Sequence, residues 1–203
     1  MSYLAMADAG LDVRLHLGGL QVAVIEANGL ELEVTCETLT GLGVRRLARY
    51  RTAAEAQEGL MRDGADLVVV GSLPGSPDEY EMIGWVRRDA PEAMRAVPLL
   101  LHTGHTQRSN VLRARDCGAS VVLAKPVQPH TLFERVGWLA RDQRPFISVP
   151  SYAGPDRRFQ KIGPPSGTAG RRADDLPLEV GEASGSNMSQ AEIDALLNPV
   201  GAR

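Results

Sequence analysis

Paired arginines in the C-terminal part of the chain are the first residues whose types suggest binding chemistry. Arg157 and Arg158 follow Tyr152 within the segment YAGPDRRF, and Arg171 and Arg172 form a second pair. A guanidinium group can grip a phosphate and stack on a base, and an aromatic neighbour adds to such stacking. These four arginines are therefore candidates for an anion or nucleotide contact. A solvated linker is the interpretation we favour, and ligand binding is the alternative.

The cysteines, the charge and the hydropathy disfavour several classes of function. Cys36 and Cys117 are far apart and neither has metal-ligand spacing around it, so we expect reduced thiols rather than a disulfide framework or a zinc site. The formal net charge of −3 favours neither nucleic acid nor a charged membrane as a partner. The sequence has neither a signal-peptide pattern nor an apolar run near the roughly 18 residues of a membrane helix. We expect a soluble, cytoplasmic protein without a cofactor.

Short apolar runs alternate with helical patterns between Leu20 and Gln143. The runs span residues 21–27, 44–50, 65–71, 97–103 and 120–125. Four are nearly continuous, as expected of strands buried on both faces of a parallel sheet, whereas the second is half polar and typical of an edge strand. Five βα units with right-handed crossovers predict an α/β domain over residues 20–143. Its fold would be a doubly wound, flavodoxin-like (βα)5 sheet with strand order 2-1-3-4-5.

Two flanks fall outside this predicted domain. Residues 11–17 (LDVRLHL) alternate between apolar and polar side chains, which is a local strand signal. The first strand already has two neighbours in the predicted order, so we treat residues 1–19 as an extension in which this segment pairs elsewhere as an extra strand or stays loose. Residues 144–203 are rich in Gly, Pro and Ser and lack the periodicity for a second core, which predicts a flexible, disordered tail.

One segment of this tail has a helical pattern. Ser189 and Glu192 have the spacing of a capping box, and the acidic residue lies where it favours the helix dipole. Three apolar side chains then form one stripe: Ile193, Leu196 and Leu197. We predict a short helix over residues 189–198. A helix of this length is not stable by itself, so we expect it to dock in a groove and bind a partner.

Three segments, in this order and at these spacings, resemble the response-regulator receiver domains of bacterial two-component systems. They are ADLVVVGSLPG, VPLLLHTG and GASVVLAKPV, in the third, fourth and fifth units. The resemblance implies phosphoryl transfer onto an aspartate after the third strand, beside Mg²⁺ held by acidic residues after the first. It also implies that a Thr or Ser and a Lys bind the phosphoryl group, and Thr103 and Lys125 match these positions.

The acceptor and metal positions depart from this pattern. Gly71 stands where the resemblance places the phosphoacceptor aspartate, and the acidic pair is replaced by Glu26 and Ala27. One protein carboxylate is too little for a hard dication. The sequence therefore predicts a pseudo-receiver that is not phosphorylated by the usual route and is not an enzyme. For Lys125, we favour a structural pair with Glu26 across the pocket over a retained switch.

The tail helix has a resemblance of its own. SQAEIDALL is similar to the N-terminal peptide of the flagellar motor switch protein, which captures the chemotaxis receiver protein, and to the C-terminal peptide of the chemotaxis phosphatase. The resemblance implies a signalling adaptor whose helix docks a chemotaxis-type receiver or a flagellar motor component, with recruitment to the motor or the cell pole. Packing of the helix on its own domain is the alternative, and the two are not exclusive.

Two further functions remain as alternatives. Arginine-rich extensions after receiver domains in some chemotaxis-like proteins bind cyclic di-GMP, and the arginines of this tail are similar in kind, which implies an effector that binds this ligand. A phosphatase that orients water through Gln190 is the other alternative. The position of Gln190 within the docking helix disfavours it.

Overall fold

Five parallel strands form the central sheet of the computed structural model, which describes residues 17–75, 77–157 and 187–197. The strands are β1 (Gln21–Ile25), β2 (Arg46–Tyr50), β3 (Leu67–Val70), β4 (Leu99–Thr103) and β5 (Val121–Ala124). Their order, β2-β1-β3-β4-β5, confirms the predicted flavodoxin-like topology. The half-polar β2 lies at one edge, as its pattern predicted, and β5 lies at the other.

Helices cover both sides of the sheet. They are α1 (Gly29–Gly41), α2 (Ala53–Asp63), α3 (Glu79–Arg88), α4 (Glu92–Arg95), α5 (Arg108–Cys117) and α6 (Pro129–Ala140). Side-chain caps fix where several of them begin: Asn28 caps α1, Thr52 caps α2, and Asp78 forms a capping box with Glu81 at α3. In the described part of the chain, no helix is long and apolar enough to cross a membrane.

Apolar side chains fill two layers, one on each side of the sheet. Val68 and Leu101 belong to the layer shared with α2, α3 and α5, whereas Val69 and Leu100 belong to the layer shared with α1 and α6. Neighbouring residues of one strand therefore face opposite layers, and all four are at most 1% exposed. This burial on both faces explains why the strand sequences are continuously apolar rather than alternating.

The N-terminal flank enters the domain through a short turn. Residues Leu17–Gly19 form a 3-10 turn before β1, and Leu17 is buried in the layer shared with α1 and α6. The rest of the segment 11–17, for which the sequence left an extra strand as one alternative, lies outside the described residues.

A β-hairpin continues the domain past its predicted end at residue 143. β6 (Phe146–Val149) and β7 (Tyr152–Pro155) pair antiparallel, and β7 packs against α3 and α5. The sequence analysis assigned this segment to the flexible tail, and here the structure differs. Gly118, in the left-handed conformation that ends α5, allows the close approach: a Cβ there would lie 2.3 Å from the carbonyl oxygen of Ala153.

Arg87, on α3, is a buried residue that contacts the first strand of the hairpin. It is 2% exposed, and its guanidinium lies 5.7 Å from the ring centre of Phe146. The guanidinium donates hydrogen bonds to the carbonyl oxygens of Arg95, Val97 and Gly118 and to the hydroxyl of Ser120. Burial lowers the pKa of Arg87 to about 10. The hairpin is thus stabilised by tertiary contacts, which a local sequence pattern does not reveal.

Candidate functional site

The carboxyl ends of four parallel strands meet around a polar pocket. Glu26 follows β1, Gly71 follows β3, Thr103 ends β4 and Lys125 follows β5. Ala27 and Glu26 line the cavity at this edge. The structure therefore brings together the pocket positions that the sequence singled out, because parallel strands present their carboxyl ends at the same edge of the sheet.

The carboxylate of Glu26 occupies the space beside Gly71. Glu26 is 3% exposed. Its Oε2 accepts hydrogen bonds from the Ser72 backbone N–H at 3.0 Å and from Lys125 Nζ at 2.7 Å, and its Oε1 accepts the Asn28 backbone N–H at 3.0 Å. A Cβ on Gly71 would lie 1.9 Å from Glu26 Oε2. Any side chain at position 71 would therefore collide with Glu26 where it stands.

Two carboxylates bind the ammonium group of Lys125. The pair with Glu26 is the one that the sequence predicted, and Glu31 on α1 accepts a further, short hydrogen bond. That bond holds the pKa of the Glu31 carboxyl below its usual value. The side chain of Lys125 is only 13% exposed. Glu31 was not among the residues predicted from sequence, because its approach to Lys125 depends on how α1 packs against the sheet.

This pocket does not fit the divalent cation of a phosphoryl-transfer site. Ala27 supplies no carboxylate, and the Glu26 oxygen that faces Gly71 is already bonded to a lysine ammonium and a backbone N–H. Lys125 would have to leave both carboxylates before a hard cation could reach them. Within the described residues, no group of three or more His, Cys, Asp or Glu side chains is arranged to hold a metal ion.

Thr103 and His102 end β4 in buried positions. Thr103 is 1% exposed, and its hydroxyl oxygen accepts the backbone N–H of His105 at 3.1 Å, which fixes the start of the β4–α5 loop. His102 is 9% exposed, and its Nε2 has no hydrogen-bond partner among the described residues. Burial lowers the pKa of His102 to about 4, with a smaller contribution from the positive charge of Lys125.

The tail contributes a helix, α7 (Gln190–Leu197), which lies on the domain itself. The surface beneath it is formed by α5, β5 and α6, and we call it the docking face, defined by Thr106, Val122, Ala124 and Arg135. Two side chains of the predicted stripe are buried in the core layer on this side: Ile193 (0% exposed) and Leu197 (7% exposed). Leu196 is partly buried against the same layer.

The predicted capping box begins α7. The Ser189 backbone N–H donates to Glu192 Oε2 at 2.7 Å, and the Glu192 backbone N–H donates to Ser189 Oγ at 3.4 Å. The Ser189 backbone N–H and hydroxyl both donate to the Glu192 carboxylate, and these two hydrogen bonds lower the pKa of the Glu192 carboxyl. The local sequence therefore sets where the helix begins.

Gln190 binds the open edge of β5. Its Oε1 accepts the Ala124 backbone N–H at 2.8 Å, and its Nε2 donates to the Val122 carbonyl oxygen at 3.1 Å. The side-chain amide thus pairs with β5 as the backbone of a sixth strand would. The sequence analysis considered Gln190 only as a catalytic amide and missed this role. The signal that could have found it is the unpaired outer edge of β5 in the predicted strand order.

Two further contacts hold the docked segment on the domain. At its start, the Met188 backbone N–H donates to the Thr106 carbonyl oxygen at 3.0 Å, and the Thr106 hydroxyl donates back to the Met188 carbonyl oxygen at 2.8 Å. Further along, Asp194 pairs with Arg135 of α6. The sequence left cis packing and partner binding both open for this helix, and in the structure the helix packs in cis.

Arg157 is the one candidate anion-binding arginine that lies within the described residues. Its Nη1 lies 2.6 Å from Asp116 Oδ1 on α5, and its guanidinium lies 4.1 Å from the ring centre of Tyr152. The ion pair with Asp116 attaches the end of the hairpin to α5, whereas the contact with Tyr152 lies within the hairpin segment. Arg158, Arg171 and Arg172 lie outside the described residues.

Solved structures similar to this one are receiver domains. The BeF3-activated DrrB receiver domain is 22% identical over 61% of this chain and 98% of its own, with a TM-score of 0.52. The receiver domain of a signal transduction histidine kinase from Syntrophus aciditrophicus is 22% identical over 65% and 99%, with a TM-score of 0.55. The Vibrio cholerae chemotaxis protein CheY4 is 18% identical over 59% and 97%, with a TM-score of 0.54. No protein-family model matches the sequence.

These likenesses establish the receiver fold. They span nearly the whole of each compared domain but less than two thirds of this chain. A substantial part of the sequence therefore has no counterpart in them.

Proposed function

We propose that this protein is a receiver-like signalling adaptor that works without phosphorylation and is not an enzyme. Its helix α7 docks a protein partner, a chemotaxis-type receiver or a flagellar motor component, and occupies its own docking face while no partner is bound. Such a partner would recruit this cytoplasmic protein to the flagellar motor or the cell pole. The observation that carries the proposal is the capped, apolar α7 seated on the α5–β5–α6 surface of a receiver fold.

The pocket supports independence from phosphorylation. Gly71 has no side chain to accept a phosphoryl group, and Glu26 fills the space beside it. Lys125, which would bind a phosphoryl oxygen in the resembled family, is held by Glu26 and Glu31. A phosphoryl group arriving here would meet two carboxylates and no available ammonium, and like charges repel it.

The contacts of α7 support exchange rather than permanent docking. Burial of Ile193 and Leu197 contributes about 1.5–3 kcal/mol each, or about 3–6 kcal/mol together before ordering costs. For a separate helix this burial corresponds to a Kd no tighter than tens of micromolar. A covalent tether raises the effective concentration to the order of millimolar. The cis complex is then favoured by a factor of roughly 10–100, and the apparent affinity of α7 for an outside partner falls by the same factor. A partner must therefore compete with the docking face.

The experiment changes the docking face and the helix α7 one at a time. Arg135→Ala weakens the docking face without altering the helix, so the full-length protein should bind a chemotaxis-type receiver about tenfold more tightly. Leu197→Asp places a charge on the apolar stripe and should abolish binding. The matched control is Arg141→Ala, because the guanidinium of Arg141 bonds to Gly137 within α6 and not to α7.

Isothermal titration with the receiver, with and without a phosphate mimic, measures these affinities. If Leu197→Asp binds as well as the wild type, α7 is not the docking element and the adaptor function is wrong. If the receiver does not bind even the Arg135→Ala variant, the proposed class of partner is wrong.

A further inference from the structure

The outer edge of β2 is open to a further strand. β2 is the last strand on its side of the sheet, and among the described strands it pairs with β1 alone. The Tyr50 carbonyl oxygen accepts the Glu26 backbone N–H, so the backbone of Tyr50 points toward β1. Because successive residues of a strand direct their N–H and C=O groups to opposite sides, those of Leu47 and Arg49 point outward. An edge of this kind is a template for pairing with another segment.

Side chains beside this edge are incompletely covered. Leu42 and Leu47 pack against the layer shared with α1 and α6, yet both are only partly buried. Arg49 lies on the same face of β2 as Leu47, and its side chain is 45% exposed although its Nε is 3.9 Å from Glu33 of α1. A strand added to the edge would place every second side chain beside Leu47 and Arg49 and would complete the cover on this face.

The described chain begins next to this edge. Leu17 is 3% exposed and packs in the layer shared with α1 and α6. A Cβ built at Gly18 would lie 3.7 Å from the Gly43 carbonyl oxygen and 3.8 Å from Arg45 Cγ. Gly18 therefore lies beside the residues that lead into β2, and the residues before Leu17 start from this side of the sheet.

The sequence that precedes this point has the pattern of an edge strand. Residues 11–16 (LDVRLH) lie before the described part of the chain and alternate between apolar and polar side chains. Leu11, Val13 and Leu15 are the apolar members, and the buried Leu17 continues their series. Six extended residues span about 20 Å, which is enough to cover the five residues of β2.

We propose that residues 11–16 bind the outer edge of β2 as an antiparallel sixth strand. Residue 16 and Gln21 then lie two strand spacings apart, about 10 Å. The chain between them spans this distance even with a rise of about 2 Å per residue in its 3-10 turn. A second copy of the chain fits this edge less well, because two paired β2 strands would bring Arg46 and Arg49 close to their own copies.

The contact at Gly18 sets the register of the proposed pairing. Gly18 lies beside the residues on either side of position 44, so these two positions are opposite each other. Antiparallel counting then places Leu15 opposite Leu47, and two residues further it places Val13 opposite Arg49. These are the outward-pointing residues of β2, and such opposite residues exchange both of their backbone hydrogen bonds. The apolar side chains of the segment then lie on the face that needs cover.

Hydrogen-exchange NMR of the full-length protein tests this pairing at the Leu47 and Arg49 amides. Val13→Pro removes the N–H that would bond to the Arg49 carbonyl oxygen, and a proline ring does not fit within a ladder. We expect both amides to exchange at least about tenfold faster in this variant than in the wild type, because the edge opens to water.

Arg14→Pro is the matched control. In the proposed register the backbone of Arg14 points away from β2, and an edge strand tolerates proline at such a position. Both β2 amides should therefore keep the wild-type exchange rate within about twofold. The amides of Val69 and Leu100, in the buried strands β3 and β4, check that each variant is folded.

Equal exchange of the Leu47 and Arg49 amides in the wild type and in Val13→Pro would overturn the inference. The same holds if Arg14→Pro opens the edge as much as Val13→Pro does, because the alternation of the backbone would then have no effect. Protection that rises with protein concentration and survives Val13→Pro would assign the edge to a second copy instead. Each of these results leaves the proposed function untouched, because α7 binds β5 at the opposite edge of the sheet.

Discussion

Adding a methyl group at Gly71 should be costly, and removing the Glu26 carboxylate should abolish most of that cost. A Cβ at position 71 would lie 1.9 Å from Glu26 Oε2 and 2.8 Å from Glu26 Cδ. Gly71→Ala therefore has to expel the carboxylate from its bonds with Lys125, Ser72 and Asn28. We expect the free energy of unfolding to fall by about 3 kcal/mol, because breaking a buried ion pair costs about 3–5 kcal/mol and Glu31 still binds the lysine.

The double substitution distinguishes this explanation from a general intolerance of Gly71. Glu26→Ala should cost about 2–3 kcal/mol, since it leaves two backbone N–H groups without their acceptor. Once that carboxylate is gone, the closest remaining contact of the three is Cβ of residue 26 at 3.2 Å, which a shift of a few tenths of an ångström relieves. The double variant should then cost about as much as Glu26→Ala alone, which corresponds to a coupling of about 3 kcal/mol.

Urea unfolding followed by circular dichroism measures all four proteins. Gly84→Ala is the control, because no atom lies within 4 Å of a Cβ built at this position in α3, and it should stabilise the protein by up to about 1 kcal/mol. The reasoning is refuted if the cost of the double substitution equals the sum of the two single costs within about 0.5 kcal/mol. In that case Glu26 does not fill the acceptor position.

Incubation with acetyl phosphate and Mg²⁺ should add no phosphoryl mass to the intact protein, because Gly71 offers no acceptor; a stoichiometric adduct would contradict this. His102 has a folded-state pKa of about 4 against an ordinary 6.5, so the unfolded state binds the proton first. Stability should therefore fall as the pH drops from 6.5 toward 4, by on the order of 3 kcal/mol, and His102→Leu should flatten that slope in urea unfolding at stepped pH. Gln190→Ala should expose the Ala124 amide at the β5 edge, which hydrogen-exchange NMR detects as a loss of protection; unchanged protection would exclude the edge contact. Calorimetric titration with cyclic di-GMP should give no saturable isotherm, because Arg157 is paired with Asp116; saturable binding that is lost in Arg157→Ala would favour the effector function instead.

The elements most completely predicted from sequence are those whose signal is local. Four nearly continuous apolar runs predicted four strands and their two-sided burial, and the half-polar second run predicted the edge strand β2. The spacing of Ser189 and Glu192 predicted where α7 begins, because a capping box forms within one turn of a helix. The pair between Lys125 and Glu26 also followed from sequence, since both residues stand directly after parallel strands.

The features that sequence did not predict depend on tertiary contacts. The β6–β7 hairpin has no alternating pattern, and its support comes from close packing on the glycine at the end of α5 and from the contact of Phe146 with the guanidinium of Arg87. The role of Gln190 requires an open β5 edge at the right distance. The apolar stripe of α7 predicted that something would cover it, but a stripe carries no information about which groove does so.

The two fixed ends of the tail are joined by a chain that is long compared with α5. Arg157 is bound to Asp116 near the end of α5, and Met188 is bound to Thr106 just before its start. The ten residues of α5 rise about 15 Å, whereas a chain as long as residues 158–186 can extend to roughly 100 Å. The chain between the two contacts is therefore several times longer than the length of α5. Insertions or deletions in residues 158–186 would leave the resting contact geometrically attainable.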